Sequence, residues 1–180
     1  MMTKPSPHKL NRSKVLWLAL YSLGFCLCAG PAIAKTEKPT NELDMFKVDC
    51  IDFRRLPVVH VRNDSLNDVA FSDFMRSPGP LFQPMIIINV KRLKELSKAS
   101  QAFFVMHECG HHVLGHFYFR EPGLNLEQEA DCYALRTLIR RGRFTLSDIK
   151  AVQKDMRKFA RPSIHHKDGK IRATALMDCI

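Results

Sequence analysis

Val105-Met106-His107-Glu108-Cys109-Gly110-His111-His112-Val113-Leu114-Gly115-His116 is the stretch on which the reading of this chain turns. It contains H-E-x-x-H as His107, Glu108 and His111. Successive residues of an α-helix lie about 100° apart, so positions i and i+4 sit about 40° apart on one face. Two imidazoles placed in this way can reach one tetrahedral Zn²⁺. Glu108 falls on the flank of that face, where it can accept a proton from a metal-bound water. The preceding Gln101-Ala102-Phe103-Phe104-Val105-Met106 is apolar and helix-compatible, which implies a buried helix. On a helix continued to about Phe119, His116 lies about 180° round from His107 and cannot join the same ion. His112 lies about 100° from His111. Both read as non-ligands serving polar packing or the rim of the site.

H-E-x-x-H arises by chance in roughly one or two per cent of chains this long, so a second element has to carry weight. It follows at Leu126-Glu127-Gln128-Glu129-Ala130-Asp131. Glu127 and Asp131 are again i and i+4 and share a helix face. Glu127 reads as the third ligand. Asp131 reads as the acceptor that takes the free ring N–H of a ligand histidine and fixes its tautomer. The bland alternative is an acidic first helical turn, which suits a helix N-terminus. Both elements together point to one Zn²⁺ per chain.

His107-Glu108-x-x-His111 followed by Glu127-x-x-Ala130-Asp131 resembles the gluzincin metallopeptidases. The likeness is greatest to the clan of the heat-shock membrane endopeptidase and the prenyl-protein endopeptidase, including small secreted relatives without a membrane domain. It spans about Met85 to the C-terminus. The metzincin pattern H-E-x-x-H-x-x-G-x-x-H fails, because Leu114 and Phe117 stand where it needs Gly and His. The resemblance implies an α+β, zincin-like minimal domain. In it a small edge sheet packs on the H-E-x-x-H helix and the C-terminal half is mainly helical. It implies a zinc endopeptidase in which three protein ligands leave one position open for water and Glu108 is the general base. It also implies that Met85-Ile86-Ile87-Ile88-Asn89-Val90, the strand beside the zinc helix, pairs with extended substrate. Relatives bring a late side chain to the oxyanion, and the candidates here are His165, His166 and Arg172. His166 and Arg172 are expected in catalysis, although Arg172 could instead hold Asp131 in place. The late segment departs from the clan's pattern, since Arg161 stands where His would precede Pro162.

The rest of the chain bounds the setting. It has 180 residues, 46% hydrophobic, with a formal net charge of +10. Lys4, Lys9, Arg12 and Lys14 precede the apolar run Val15 to Ala29, and Ala32-Ile33-Ala34 is an A-x-A cleavage site. Residues 1–34 therefore read as a signal peptide cut before Lys35, leaving a single domain, 35–180, in the periplasm or secreted. About 15 apolar residues fall short of the roughly 20 that span a bilayer, so membrane attachment is expected only if the leader is retained. Without the leader's basic residues the net charge is +6. The charge is spread out and lacks interleaved aromatics, which excludes a nucleic-acid groove and fits solubility. Peptide or protein substrates are the expected partners. After the leader four cysteines remain, Cys50, Cys109, Cys132 and Cys179, and an exported chain is expected to pair them in one of three ways. Cys109 and Cys132 fall on the far sides of their helices from the ligand positions and are not expected to bind the metal.

A coarse pass places the elements. Leu43 to Phe53 reads as a short helix and Pro57 to Val61 as a strand carrying His60 at its surface. Asn63 to Pro84 reads as a loop region held by Phe71, Phe74, Leu81 and Phe82, with room for short strand pieces. Lys91 to Leu96 is a short helix. Ser100 is expected to cap the zinc helix, which the pattern carries to about Phe119. Asn125 should cap the second zinc helix, running to about Arg141 with Gly142 as its stop. Thr145 and Asp148 form a capping box opening a helix to about Phe159, and a last helix covers Gly169 to Asp178. The leading expectation is an exported zinc endopeptidase. The alternative from another class is a zinc-containing binding or assembly module with little or no proteolysis, against which the intact Glu108 argues.

Overall fold

Helix α2, Lys98–Val113, is the element around which the others pack. The computed structural model describes residues 43, 46–76, 82–119, 125–159 and 168–180. The expected leader and its cut, and the late residues His165 and His166, lie outside the described residues. Those described form an α+β arrangement of strands β1 (Val59–Arg62), β2 (Ala70–Met75) and β3 (Gln83–Ile88). Helices α1 (Val90–Lys94), α2, α3 (Leu126–Arg140), α4 (Leu146–Met156) and α5 (Gly169–Ala175) follow, closed by a 3₁₀ turn at Leu176–Cys179. Among the described residues no helix is long and apolar enough to cross a membrane.

The sheet runs β1-β3-β2, with β1 parallel and β2 antiparallel to β3. Side chains alternate along a strand, so Pro84, Ile86 and Ile88 of β3 turn one way and are buried. Ala70 and Ser72 of β2 pair with Ile88 and Ile86 and are buried on the same face. This face meets α2. The β3 strand is therefore central, and the expectation that it offers an edge to extended substrate is overturned: both its edges are paired. The cause is β2, one of the short strand pieces the polar stretch leaves room for, which adds its antiparallel ladder to β3. His60 is also corrected. It aligns with Ile86 on the core-facing side, is half-buried, and its Nε2 accepts from the Val48 N–H at 3.4 Å. Burial, aided by Lys47, lowers its pKa to about 4. Residues 47–50 are not helical, so the expected helix over Leu43 to Phe53 is not formed there; Cys50 instead accepts the Val58 N–H through its carbonyl.

Both ends of α2 are held by identifiable groups. Ser97, not Ser100, is the N-cap, its hydroxyl accepting from the Ser100 N–H at 3.2 Å. Asp155 of α4 accepts from the Ser97 N–H at 2.9 Å and the Ser100 hydroxyl at 2.8 Å, placing a carboxylate at the helix N-terminus. Burial would raise the Asp155 pKa, but bonds from Lys158, Ser97 and Ser100 hold it down at about 2. The other end comes earlier than Phe119. Gly115 has φ of +69°, and the His116 N–H reaches the His111 carbonyl at 3.1 Å while the Gly115 N–H reaches His112 at 3.3 Å. That is a Schellman ending, which glycine permits because it lacks a Cβ. Asn125, the Thr145–Asp148 capping box and Gly142 stand where the sequence places them. Helix α4 stops at Met156 rather than Phe159, and the last helix is α5 plus the 3₁₀ turn.

Two disulfides pin the helices from behind: Cys50–Cys109 and Cys132–Cys179. Cys109 lies between the two histidines of H-E-x-x-H, and Cys132 follows Asp131 on α3. Such bonds suit an oxidising compartment. The sequence separations are 59 and 47 residues, and loops of that size correspond to about 4 kcal/mol each in the chain-entropy account. Replacing both Cys132 and Cys179 by Ala is expected to lower the unfolding free energy by roughly 2–5 kcal/mol, read from urea denaturation of the oxidised protein. An unchanged midpoint would count against a structural role for that bond.

Candidate metal centre

Helices α2 and α3 approach closely where small residues meet. A Cβ added at Gly110 would lie 3.1 Å from the Tyr133 ring and 3.2 Å from the Ala130 backbone. Next to this contact the three expected ligand side chains converge. The His107 and His111 Nε2 atoms are 3.1 Å apart. Glu127 brings Oε2 to 3.5 Å from His107 Nε2 and Oε1 to 3.3 Å from His111 Nε2. His107, His111 and Glu127 form a group that could hold a metal ion, with their ligand atoms within 4.8 Å of one another. A tetrahedral site with metal–nitrogen bonds of about 2.05 Å has ligand–ligand edges of about 3.3 Å, a value that these separations bracket. Glu108, 2% exposed, sets Oε1 4.0 Å from His107 Nε2.

The far side of each imidazole is also engaged. His107 Nδ1 lies 2.9 Å from Asp131 Oδ1. A carboxylate only accepts, so Nδ1 keeps a proton, and once His107 is neutral its lone pair lies on Nε2, facing the ligand group. Asp131 is in turn gripped by Arg172 of α5, Nε to Oδ2 at 2.9 Å and Nη2 to Oδ1 at 2.7 Å. Arg172 Nη1 stands 3.6 Å from Glu127 Oε2. Burial opposes both charges, yet Arg172 and His107 hold the Asp131 pKa at about 2, and Asp131 pushes the Arg172 pKa up. Of the two roles expected for Arg172, its guanidinium takes the one on Asp131.

His116 departs from the helical-wheel expectation. The wheel assumes that α2 runs on, whereas the turn at Gly115 swings His116 back against His111, with Nδ1 to Nδ1 at 2.9 Å. Its Nε2 lies 3.2 Å from Glu129 Oε2. Burial, and then His111, lower its pKa. The legible clue was Gly115 itself, a glycine placed to end the helix. His112 is a packing residue, as expected: it is buried, its Nε2 meets the Met85 carbonyl at 2.9 Å, and its ring abuts Phe74 and Phe117. Neither cysteine joins the ligand group, both being in disulfides.

No protein-family model, curated protein or solved structure matches the chain. The likeness to gluzincins stands on the motif residues alone.

Two outcomes are expected from this geometry. Arg172→Met removes one partner of a buried ion pair and leaves the Asp131 carboxylate to His107 alone, which is expected to cost up to about 3–5 kcal/mol in urea unfolding of the metal-free protein. In that metal-free protein burial and Arg172 press the His107 pKa down, but Asp131 and Glu127 lift it further, to about 9. A histidine must lose its proton to ligate. Metal affinity, titrated with Zn²⁺ against a competing chelator, is therefore expected to rise about tenfold per pH unit from pH 7 towards pH 9. A flat profile over that window would contradict the assignment.

Proposed function

We propose that this chain is an exported zinc-dependent endopeptidase on a minimal zincin-like domain, taking peptide or protein substrates in the periplasm or outside the cell. One Zn²⁺ per chain is held by His107, His111 and Glu127. The observation that carries the reading is the convergence of two imidazole nitrogens and a carboxylate at 3.1, 3.3 and 3.5 Å, with a buried Glu108 alongside. The charge balance supports it. Glu108, Glu127 and Asp131 bring three carboxylates to one guanidinium, Arg172, so once His107 has given up its proton, as ligation requires, two negative charges remain in a mostly buried cluster. Isolated charges are costly away from water, and a divalent cation cancels two. A donor set of two imidazoles and one carboxylate suits zinc and leaves a coordination position open, the mark of a catalytic site.

A bound zinc would supply Lewis acidity, lowering the pKa of water and polarising a carbonyl. The chain's own residues do the rest. Glu108 takes the proton of the attacking water and returns it to the leaving amine. Asp131 holds the His107 tautomer, and Arg172 is a positioning residue that holds Asp131. His166, from the late segment, is the proposed donor to the oxyanion, a role carried by the resemblance. The disulfides and the predicted leader support export. Spread charge supports a protein rather than a nucleic-acid partner.

The test is digestion of a peptide library by the zinc-loaded protein, read by mass spectrometry with and without chelator. Glu108→Gln is expected to keep one zinc per chain and to lower cleavage by roughly 10²–10⁴-fold. Full turnover by Glu108→Gln would overturn the mechanism. No cleavage of any peptide by the wild type at full zinc occupancy would leave a zinc-binding module in place of the enzyme.

A further inference from the structure

We propose that His116 and Glu129 are a positioning pair for the second ligand histidine, His111, an inference that rests on the metal centre proposed above. His111 Nδ1 and His116 Nδ1 are 2.9 Å apart, and His116 Nε2 is 3.2 Å from Glu129 Oε2. The protons can be assigned along this chain from its far end. An ionised Glu129 only accepts, so His116 Nε2 carries the hydrogen. A neutral His116 then has its lone pair on Nδ1. That nitrogen can only accept, so the shared proton belongs to His111 Nδ1. His111 is left with its lone pair on Nε2, the atom that faces His107 and Glu127. Each link follows from the one before it, and the result is the tautomer a metal ligand needs.

The position of His116 is built rather than incidental. It is 5% exposed, unlike a histidine on a wet rim. It reaches His111 because the Schellman turn at Gly115 reverses the chain and the His116 N–H is tied to the His111 carbonyl at 3.1 Å. Backbone and side chain of His116 thus both grip the same residue. Glu129 comes from α3, so the pair also links the two ligand-bearing helices. It faces His111 Nδ1, the side away from the ligand group, which rules His116 out as a ligand and makes it a support. The two ligand histidines are consequently held by different chemistry. His107 rests on a buried carboxylate neutralised by Arg172. His111 rests on a second imidazole whose carboxylate, Glu129, has a side chain 41% exposed.

Zinc affinity, measured by chelator competition, reads this directly. His116→Phe keeps the ring and removes the acceptor, and is expected to weaken zinc binding 10–100-fold. His116→Asn sets a carbonyl oxygen near the place of Nδ1 and is expected to recover most of that loss. Urea unfolding of the metal-free variants controls for stability: a merely structural role would make affinity follow stability, and Asn would not rescue one without the other. Glu129→Leu is expected to weaken zinc binding in the same direction, since His116 is then free to turn over. Wild-type affinity in His116→Phe, with the wild type itself binding one zinc, overturns the inference and leaves the metal centre standing. A wild type that takes up no zinc overturns both. Should His116→Phe not fold, ¹⁵N NMR of zinc-loaded wild type decides: a coupling across the hydrogen bond between His111 Nδ1 and His116 Nδ1 is expected, and protons on both nitrogens would sink the idea.

Discussion

The approach of α2 to α3 at Gly110 and Ala130 is the constraint on which the site depends. Helix axes usually stand 8–10 Å apart because side chains keep them there. Here one partner has no side chain and the other has a single methyl, fully buried. His111 follows Gly110, Asp131 follows Ala130, and Glu127 lies a turn earlier on α3. The small contact therefore sets how far the carboxylate of one helix is from the imidazoles of the other. A methyl group at Gly110 would have to displace the Tyr133 ring or the Ala130 backbone by a few tenths of an ångström. That displacement falls on ligand separations near 3.3 Å, where coordination tolerates little.

Around this contact the fold gives α2 no freedom to slide. Its N-terminus ends on the Asp155 carboxylate of α4, its C-terminus on its own Schellman turn, and its middle on the Cys109 disulfide. His112 adds a bond to the Met85 carbonyl of the central strand. Sites on rigid elements hold geometry better than sites on loops, and four ties along one helix make it such an element.

The sequence was most legible where a residue type has one main use at its position. Asn125 before an acidic turn and Thr145 three residues before Asp148 cap helices as read, and the i, i+4 pairs His107/His111 and Glu127/Asp131 do share a helix face, with His107, His111 and Glu127 grouped so that they could hold a metal ion. Each rests on local geometry within a single turn. What could not be read depends on contacts far apart in the chain. Strand β2 lacks a strong apolar alternation and becomes a strand through its pairing with β3. The pairing of Cys50 with Cys109 was one of three possibilities until the helices were placed. The bidentate grip of Arg172 on Asp131 spans 41 residues. His116 is the instructive failure. The wheel argument holds for a helix continued to Phe119, but Gly115 ends the helix before His116 is reached.

The order of the cross-links along the chain has a topological consequence. The Cys50–Cys109 and Cys132–Cys179 rings are in series, neither threaded through nor nested in the other. Oxidation can close each ring without waiting for the other. It leaves the connector from residue 110 to 131 outside both, and that connector contains His111, Glu127 and Asp131. Covalent bonds thus close two separate rings, and the join between them is left to helix packing and to polar contacts such as Ser97–Asp155, with His107–Asp131 tying the first ring to the connector. The candidate metal group sits where a third rivet would go, so uptake of an ion there would join α2 to α3 and make binding and the docking of the two rings a single thermodynamic event.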